Sequence, residues 1–378
     1  MIVDRLAQNL LKKNLQVNKV VLLYGPRRVG KTTLLNQFVA GQADKKSIKM
    51  VTGENRATQD ELSSQSIEIL KGFVGDKKII IVDEAQKIPN IGLNLKLIVD
   101  NIPDAAVIAS GSASFSLAKQ VGEPLTGRKK TINLFPISAS EIIATKDLSF
   151  YKETLESYLI FGGYPELFQI SNPQEKRNYL LELIDSYLFK DILELENVRS
   201  PKKIRDLLTL LAFQIGKEVS LSELANVLEI NKNTVYRYLD LLEKSFIIIN
   251  VRGFSRNLRK EVSKTSRYYF YDNGVRNGLI NNFNILSLRD DIGMLWENYL
   301  VMERIKKQSY QFLPANNYFW RTYDQKEIDW VEERDGYLYG YEICWSKKAK
   351  KAPKDWLETY PKASYETVDK TNFLKFIL

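Results

Sequence analysis

Gly25, Gly30, Lys31 and Thr32 have the types and the spacing to capture phosphate. They lie in Gly25-Pro26-Arg27-Arg28-Val29-Gly30-Lys31-Thr32-Thr33, which reads G-x-x-x-x-G-K-T. Glycines let a backbone curl until successive N–H groups point inward at one anion. A helix starting at the end of the loop adds the positive end of its dipole. In such a loop the lysine reaches the β- and γ-phosphates and the next hydroxyl ligates Mg²⁺. Those roles fall to Lys31 and Thr32, with ATP and Mg²⁺ as the expected ligands.

Asp83 and Glu84 supply the second half of that chemistry. They close the run Ile79-Ile80-Ile81-Val82-Asp83-Glu84. A wholly apolar run reads as a buried parallel strand, and its carboxyl end is where α/β sheets bind ligands. Asp83 would hold the metal and Glu84 would orient and deprotonate the attacking water. A further run, Ala105-Ala106-Val107-Ile108-Ala109, ends in Ser110-Gly111-Ser112. Ser110 and Ser112 are candidate sensors of the γ-phosphate, with Ser112 favoured, although an N-cap role is the plain alternative. Arg128, in Gly127-Arg128, is positioned to meet γ-phosphate charge from its own chain or a neighbouring subunit, or else to sit on a solvated edge.

These residues need a scaffold, and the sequence supplies one. Val20-Val21-Leu22-Leu23-Tyr24 reads as the strand before the loop, and Thr33 to Val39 as the helix after it. Ser47 to Val51 reads as another strand, and residues 57–72 have helical spacing at Leu62, Ile67 and Leu70. Residues 146–200 are helical, with 10 acidic side chains against 6 basic, and would form a lid over the nucleotide. Residues 1–145 carry 20 basic against 13 acidic. The chain has 378 residues, room for several domains, and a net charge of +9, which favours anionic partners. It has no histidine and one cysteine, Cys344. That excludes His-based zinc sites, Ser-His-Asp triads and intrachain disulfides. The N-terminus lacks a secretory core and no apolar run reaches membrane-spanning length, so a cytoplasmic protein without membrane contact is expected.

Residues 203–251 fit a winged helix-turn-helix, with helices over Ile204–Phe213, Leu221–Leu228 and Lys232–Lys244. Val235, Leu239 and Leu242 recur at helical spacing and would face the core. Lys232, Asn233, Tyr236 and Arg237 would then face outward. Arg252, Arg256, Arg259, Lys260, Lys264 and Arg267 stand in the following hairpin against Glu261 alone. A basic hairpin beside a recognition helix fits DNA phosphates, while a winged helix used for protein contact is the other reading. Beyond residue 276 come a helix around Met294–Val301 and three short strands, around Tyr318–Thr322, Glu327–Val331 and Leu338–Trp345. Period-two geometry lets Asp329 share a face with Glu342 and Cys344.

Taken together, these motifs give the chain a resemblance to a large family of uncharacterised prokaryotic AAA-type ATPases. The resemblance rests on Gly25–Thr33, Ile81 to Pro89, Ser110-Gly111-Ser112, Gly127-Arg128 and Leu134-Phe135-Pro136-Ile137-Ser138. It continues through Phe161-Gly162-Gly163-Tyr164-Pro165, Tyr271-Asp272-Asn273-Gly274, Phe319-Trp320-Arg321-Thr322, Glu327-Ile328-Asp329 and Tyr341-Glu342-Ile343. It implies an α/β P-loop NTPase with an AAA-like parallel sheet, a helical lid, a winged helix-turn-helix and a C-terminal α/β restriction-endonuclease-like fold similar to PD-(D/E)XK nucleases. In that nuclease pattern Glu297, Asp329 and Glu342 would bind a second metal. The lysine that the pattern places two residues after Glu342 is replaced by Cys344, so little or no nuclease activity is expected. Lys347 and Lys306 are the candidate substitutes for that lysine.

The expected domains are an ATPase over 1–145, a lid over 146–200, a winged helix over 201–275 and a nuclease-like domain over 276–378. The expected activity is Mg²⁺-dependent ATP hydrolysis that moves the appended module on DNA. A slow regulatory switch on a protein partner and an ATP-gated nuclease are the alternatives. A homo-oligomer is compatible with either.

Overall fold

The computed structural model describes residues 2–112, 125–188, 200–255, 265–322, 325–346 and 350–378. Two compact units account for them. One comprises Ile2–Ile137 with Lys244–Phe246, and the other Ser138–Glu243 with Ile247–Leu378.

The first unit is built on five parallel strands: β1 (Val20–Tyr24), β2 (Ile48–Thr52), β3 (Ile79–Asp83), β4 (Ala106–Gly111) and β5 (Lys129–Asn133), in the order β2-β3-β4-β1-β5. Every residue of β1 and β4 is buried, as continuous apolar runs require in a sheet covered on both faces. β4 lies beside β1 with Val20 opposite Val107 and Tyr24 opposite Gly111, so their carboxyl ends coincide. Helix Lys31–Ala40 follows β1 and buries Leu34, Leu35 and Phe38. The helical spacing over 57–72 resolves into two helices, Arg56–Leu62 and Ile67–Val74. The break has a local cause. Ser66 caps the second helix by accepting from the Ile69 N–H, and Gln65 before it takes a left-handed φ of 55°.

The second unit opens with helices Ala139–Thr145, Leu148–Phe161, Pro173–Leu183 and Pro201–Phe213. Ser138 and Glu141 form a capping box at the first of these. Helices Leu221–Val227 and Lys232–Lys244 follow, with Ser220 capping the former. Val235, Leu239 and Leu242 are buried as their spacing requires, and Lys232, Asn233, Tyr236 and Arg237 are exposed.

The strands of this unit form one mixed sheet. They are β6 (Glu218–Val219), β7 (Ile248–Gly253), β8 (Ser266–Phe270), β9 (Asn316–Arg321), β10 (Glu327–Arg334), β11 (Tyr337–Ile343) and β12 (Ala363–Val368), in the order β12-β11-β10-β9-β7-β8-β6. The hairpin strands β7 and β8 therefore continue into the C-terminal strands through β7 and β9, where Arg252 lies opposite Tyr318 and Gly253 opposite Phe319. Helix Ile292–Gln311 buries Leu295, Trp296, Tyr299 and Leu300 among others.

Two motifs that are far apart in sequence interlock here. Asp272 caps helix Asn273–Leu279, and its other oxygen accepts from the Gly163 N–H at 2.7 Å. Gly162, at φ 78°, leaves no room for a Cβ beside that carboxylate. Asn273 and Asn277 both donate to the Leu159 carbonyl, and Asn277 also to that of Ile160. The Phe161-Gly162-Gly163 and Asp272-Asn273-Gly274 motifs thus hold a helix end against a helix start.

Candidate nucleotide site

The loop from Gly25 to Gly30 joins β1 to helix Lys31–Ala40. A Cβ on Gly25 would collide with the Leu134 carbonyl oxygen, so only glycine lets the loop leave β1 along this path. Gly30 stands at the helix N-cap with φ 95°, offers no capping side chain, and no acidic residue occupies the first turn. The positive helix end therefore keeps its polarity for an incoming anion. The Lys31 ammonium donates to the carbonyls of Gly25 at 3.0 Å and Pro26 at 2.8 Å, buried within the loop.

β3 brings Asp83 to the same end of the sheet. Its Oδ2 accepts from the Thr32 hydroxyl at 2.6 Å, so the two expected metal ligands meet. Its Oδ1 accepts from the Ser110 hydroxyl and from the Glu84 N–H at 3.1 Å. Glu84 takes a left-handed conformation, φ 50° and ψ 40°, which turns the chain sharply after β3. The Gln86 amide donates to Glu84 Oε2 at 2.5 Å and to the Ser112 hydroxyl at 3.2 Å. Ser110 therefore belongs to Asp83, and Ser112 to the Glu84 side of the site.

Arg128 lies elsewhere. Its carbonyl accepts from the Val20 N–H, at the amino end of β1, while the phosphate loop leaves the carboxyl end beyond Tyr24. A strand of 5 residues separates the two, roughly 15 Å at a rise of about 3.3 Å per residue. Arg128 pairs instead with Asp100. The expectation that it meets the γ-phosphate within its own chain is corrected on this ground.

Arg5 completes the site and carries no motif. It donates to the Val29 carbonyl at 2.9 Å and to the Phe135 carbonyl at 2.5 Å, and is buried. It thereby braces the phosphate loop from the N-terminal segment. Gly53, after β2, donates to the Asp83 carbonyl at 2.7 Å and touches the Glu84 backbone so closely that no Cβ fits.

The C-terminal carboxylates have a different arrangement from the one expected. Arg267 of β8 is turned inward, so it does not belong to a basic phosphate-contacting hairpin. It donates to Asp329 at 3.2 Å and Glu327 at 2.7 Å, lies 3.9 Å from Glu297, and stacks over Phe319. Tyr269 donates to Glu297 at 2.7 Å, and the Ile343 N–H to Asp329 at 3.0 Å. Lys350 pairs with Glu342. Burial, reinforced by the Asp329 charge, pushes Glu297 up to about 8 and Glu342 up to about 7. Burial also raises Asp329, against the pull of Arg267.

Among the described residues no group of three ligands is placed to hold a metal ion. The second metal site expected from Glu297, Asp329 and Glu342 is therefore not formed among the described residues, where Arg267 faces Glu297 and Asp329 and Lys350 pairs with Glu342. Of the substitute lysines, Lys306 pairs with Glu303 at 2.7 Å. Lys347 lies outside the described residues, as do Arg256, Arg259 and Lys260. Among the described residues no helix is long and apolar enough to cross a membrane.

Known proteins and families resemble this chain in the same places. Residues 17–143 match the model of an AAA domain, and residues 292–372 that of a domain of unknown function, DUF4143. Residues 152–285 match another domain of unknown function, DUF8612. An uncharacterized protein of Mycobacterium tuberculosis is 28% identical over 337 residues, covering 88% of this chain and 72% of its own length. An uncharacterized protein of Methanocaldococcus jannaschii is 25% identical over 332 residues, covering 83% and 72%. A crystal structure of a signal transduction ATPase with a tetratricopeptide repeat sensor, from Pyrococcus horikoshii, aligns with a TM-score of 0.30 and 17% identity. It covers 82% of this chain and 46% of that one, a likeness too slight to carry an argument. With the parallel sheet, the phosphate loop and the Thr32–Asp83 pair, these matches give residues 17–143 the fold of an AAA domain and residues 292–372 that of the DUF4143 domain.

Proposed function

We propose that the chain is a Mg²⁺-dependent ATP hydrolase whose nucleotide state drives conformational change in an appended winged-helix and nuclease-like module acting on DNA. The observation that carries the chemistry is the Thr32–Asp83 hydrogen bond of 2.6 Å beside the buried Lys31 ammonium. A hydroxyl and a carboxylate are hard oxygen donors, the kind of set Mg²⁺ takes alongside phosphate oxygens and water. When bound, Mg²⁺ would offset the charge of the β- and γ-phosphates. In this reading residues 25–33 cradle the phosphates and Lys31 neutralises them. Glu84 takes the proton of the attacking water, and Ser112 senses the γ-phosphate. Arg128 retains a role only toward a neighbouring subunit. Residues 146–200 would serve as the lid.

DNA binding is supported by Lys232, Asn233, Tyr236 and Arg237 exposed together on helix Lys232–Lys244, and by the net charge of +9. One observation favours a protein partner instead: Tyr236 and Val227 on neighbouring helices are 62% and 60% exposed, an apolar presentation. The test is phosphate release by wild type with Mg²⁺, with chelator, and with Lys31→Ala, each with and without duplex DNA. The reading expects release that needs Mg²⁺ and Lys31 and that responds to DNA. Release by Lys31→Ala at the wild-type rate would refute the site; indifference to DNA would favour the protein partner.

A further inference from the structure

We infer that Gln86 is a positioning residue for hydrolysis: its amide N–H group clamps Glu84 to Ser112 and so holds the carboxylate that takes the proton of the attacking water. This rests on the reading of the site as an ATPase. The left-handed turn at Glu84 leads straight into a single turn of 3-10 helix, Ala85–Lys87. That turn folds Gln86 back toward the strand end. Nε2 spends both hydrogens locally, on Glu84 Oε2 at 2.5 Å and on the Ser112 hydroxyl at 3.2 Å. Oε1 is buried and, among the described residues, has no hydrogen-bond partner. A buried acceptor left without a donor costs about 1–3 kcal/mol, and such groups in folded proteins are normally satisfied by protein or water.

With Oε1 left over, the amide's orientation is set by its two Nε2 hydrogen bonds, which fix the Glu84 carboxylate against the Ser112 hydroxyl. In the step itself the water oxygen bonds to the γ-phosphorus as the bond to the β,γ-bridging oxygen breaks. ADP leaves with that electron pair, and the water's proton passes to Glu84. Gln86 neither gains nor loses a proton; it keeps Glu84 where it can act.

The test compares wild type, Gln86→Met, Glu84→Gln and the double variant in single-turnover ATP hydrolysis with Mg²⁺, alongside nucleotide affinity. Methionine keeps the length of the side chain and loses both kinds of hydrogen bond. Gln86→Met should bind ATP within about threefold of wild type and lose about 100-fold in kcat, a split that general misfolding would not give. Because Gln86 acts through Glu84, the double variant should be no slower than Glu84→Gln alone. A kcat loss under about tenfold, an affinity loss as large as that of Lys31→Ala, or fully multiplicative losses in the double variant would each overturn the inference. Absence of hydrolysis by wild type would instead overturn the ATPase reading, and this inference with it.

Discussion

Arg267→Met tests whether the C-terminal carboxylates are held together by charge. The guanidinium is almost wholly buried, 4% exposed, and faces Asp329 at 3.2 Å, Glu327 at 2.7 Å and Glu297 at 3.9 Å. Burial works against its charge, and the surrounding Tyr269, Glu297, Asp329 and Glu327 more than restore it. Removing one partner of a buried ion pair typically costs about 3–5 kcal/mol, because the other charge is left unpaired. Here two deeply buried carboxyls, Glu297 and Asp329, lose their cation; Glu327 is 44% exposed and screened by water. The loss should therefore be about 3–5 kcal/mol at pH 9.5, above the value of about 8 to which Glu297 is raised, and smaller at pH 5, where Glu297 holds its proton. Tryptophan fluorescence in a urea titration reads this selectively. All five tryptophans, Trp296, Trp320, Trp330, Trp345 and Trp356, belong to the second unit. Equal losses at the two pH values would refute the charge argument and assign the role of Arg267 to packing on Phe319.

Glu297 gives a complementary pH dependence. Its carboxyl is raised from 4.5 to about 8, so the stability it contributes is complete below about pH 4.5 and is lost as pH rises through 8. Glu297→Gln, neutral throughout, should unfold at higher urea than wild type at pH 9 and lose that advantage at pH 5. Arg5→Met should weaken ATP affinity about tenfold, measured by equilibrium titration, since it removes the brace on the Val29 and Phe135 carbonyls while leaving every loop residue in place. If helix Lys232–Lys244 meets DNA phosphates, log K should fall linearly with log salt, and Lys232→Ala with Arg237→Ala should flatten the slope by about two.

The parallel sheet and the phosphate site were legible because their signals are local. β1 and β3 are unbroken apolar runs, and glycine, lysine, threonine and carboxylates follow them at the spacing of a phosphate loop and its partner strand. Ser110 and Ser112 stand at a strand end, where the sequence also places them, and they bond to Asp83 and Gln86. Arg5 and Gly53 carry no such signal. An arginine before a short helix looks like any solvated cation, and its target, the Val29 carbonyl, is fixed only by the tertiary fold. Arg128 misled for the reverse reason: an arginine before a strand carries no sign of which end of the sheet it occupies.

In the second unit, burial inverted the meaning of charge. Arg267 stood in a basic stretch that reads as solvent-facing, yet period-two geometry turns it onto carboxylates from strands more than 50 positions away. The joining of β7 to β9 rests on two residue pairs, Arg252 with Tyr318 and Gly253 with Phe319, which no local pattern announces. β12 escaped because only its last residue is fully buried, so its alternation is faint.

The most direct measurement of the central claim is the identity of the nucleotide held by Glu84→Gln after long incubation with radiolabelled ATP and Mg²⁺. The variant keeps Lys31, Thr32 and Asp83, so on the proposed roles phosphate and metal binding would stay intact and only the proton acceptor would be gone. The account predicts that Glu84→Gln retains ATP while wild type under the same conditions yields ADP and phosphate. Formation of ADP by Glu84→Gln at the wild-type rate would contradict it.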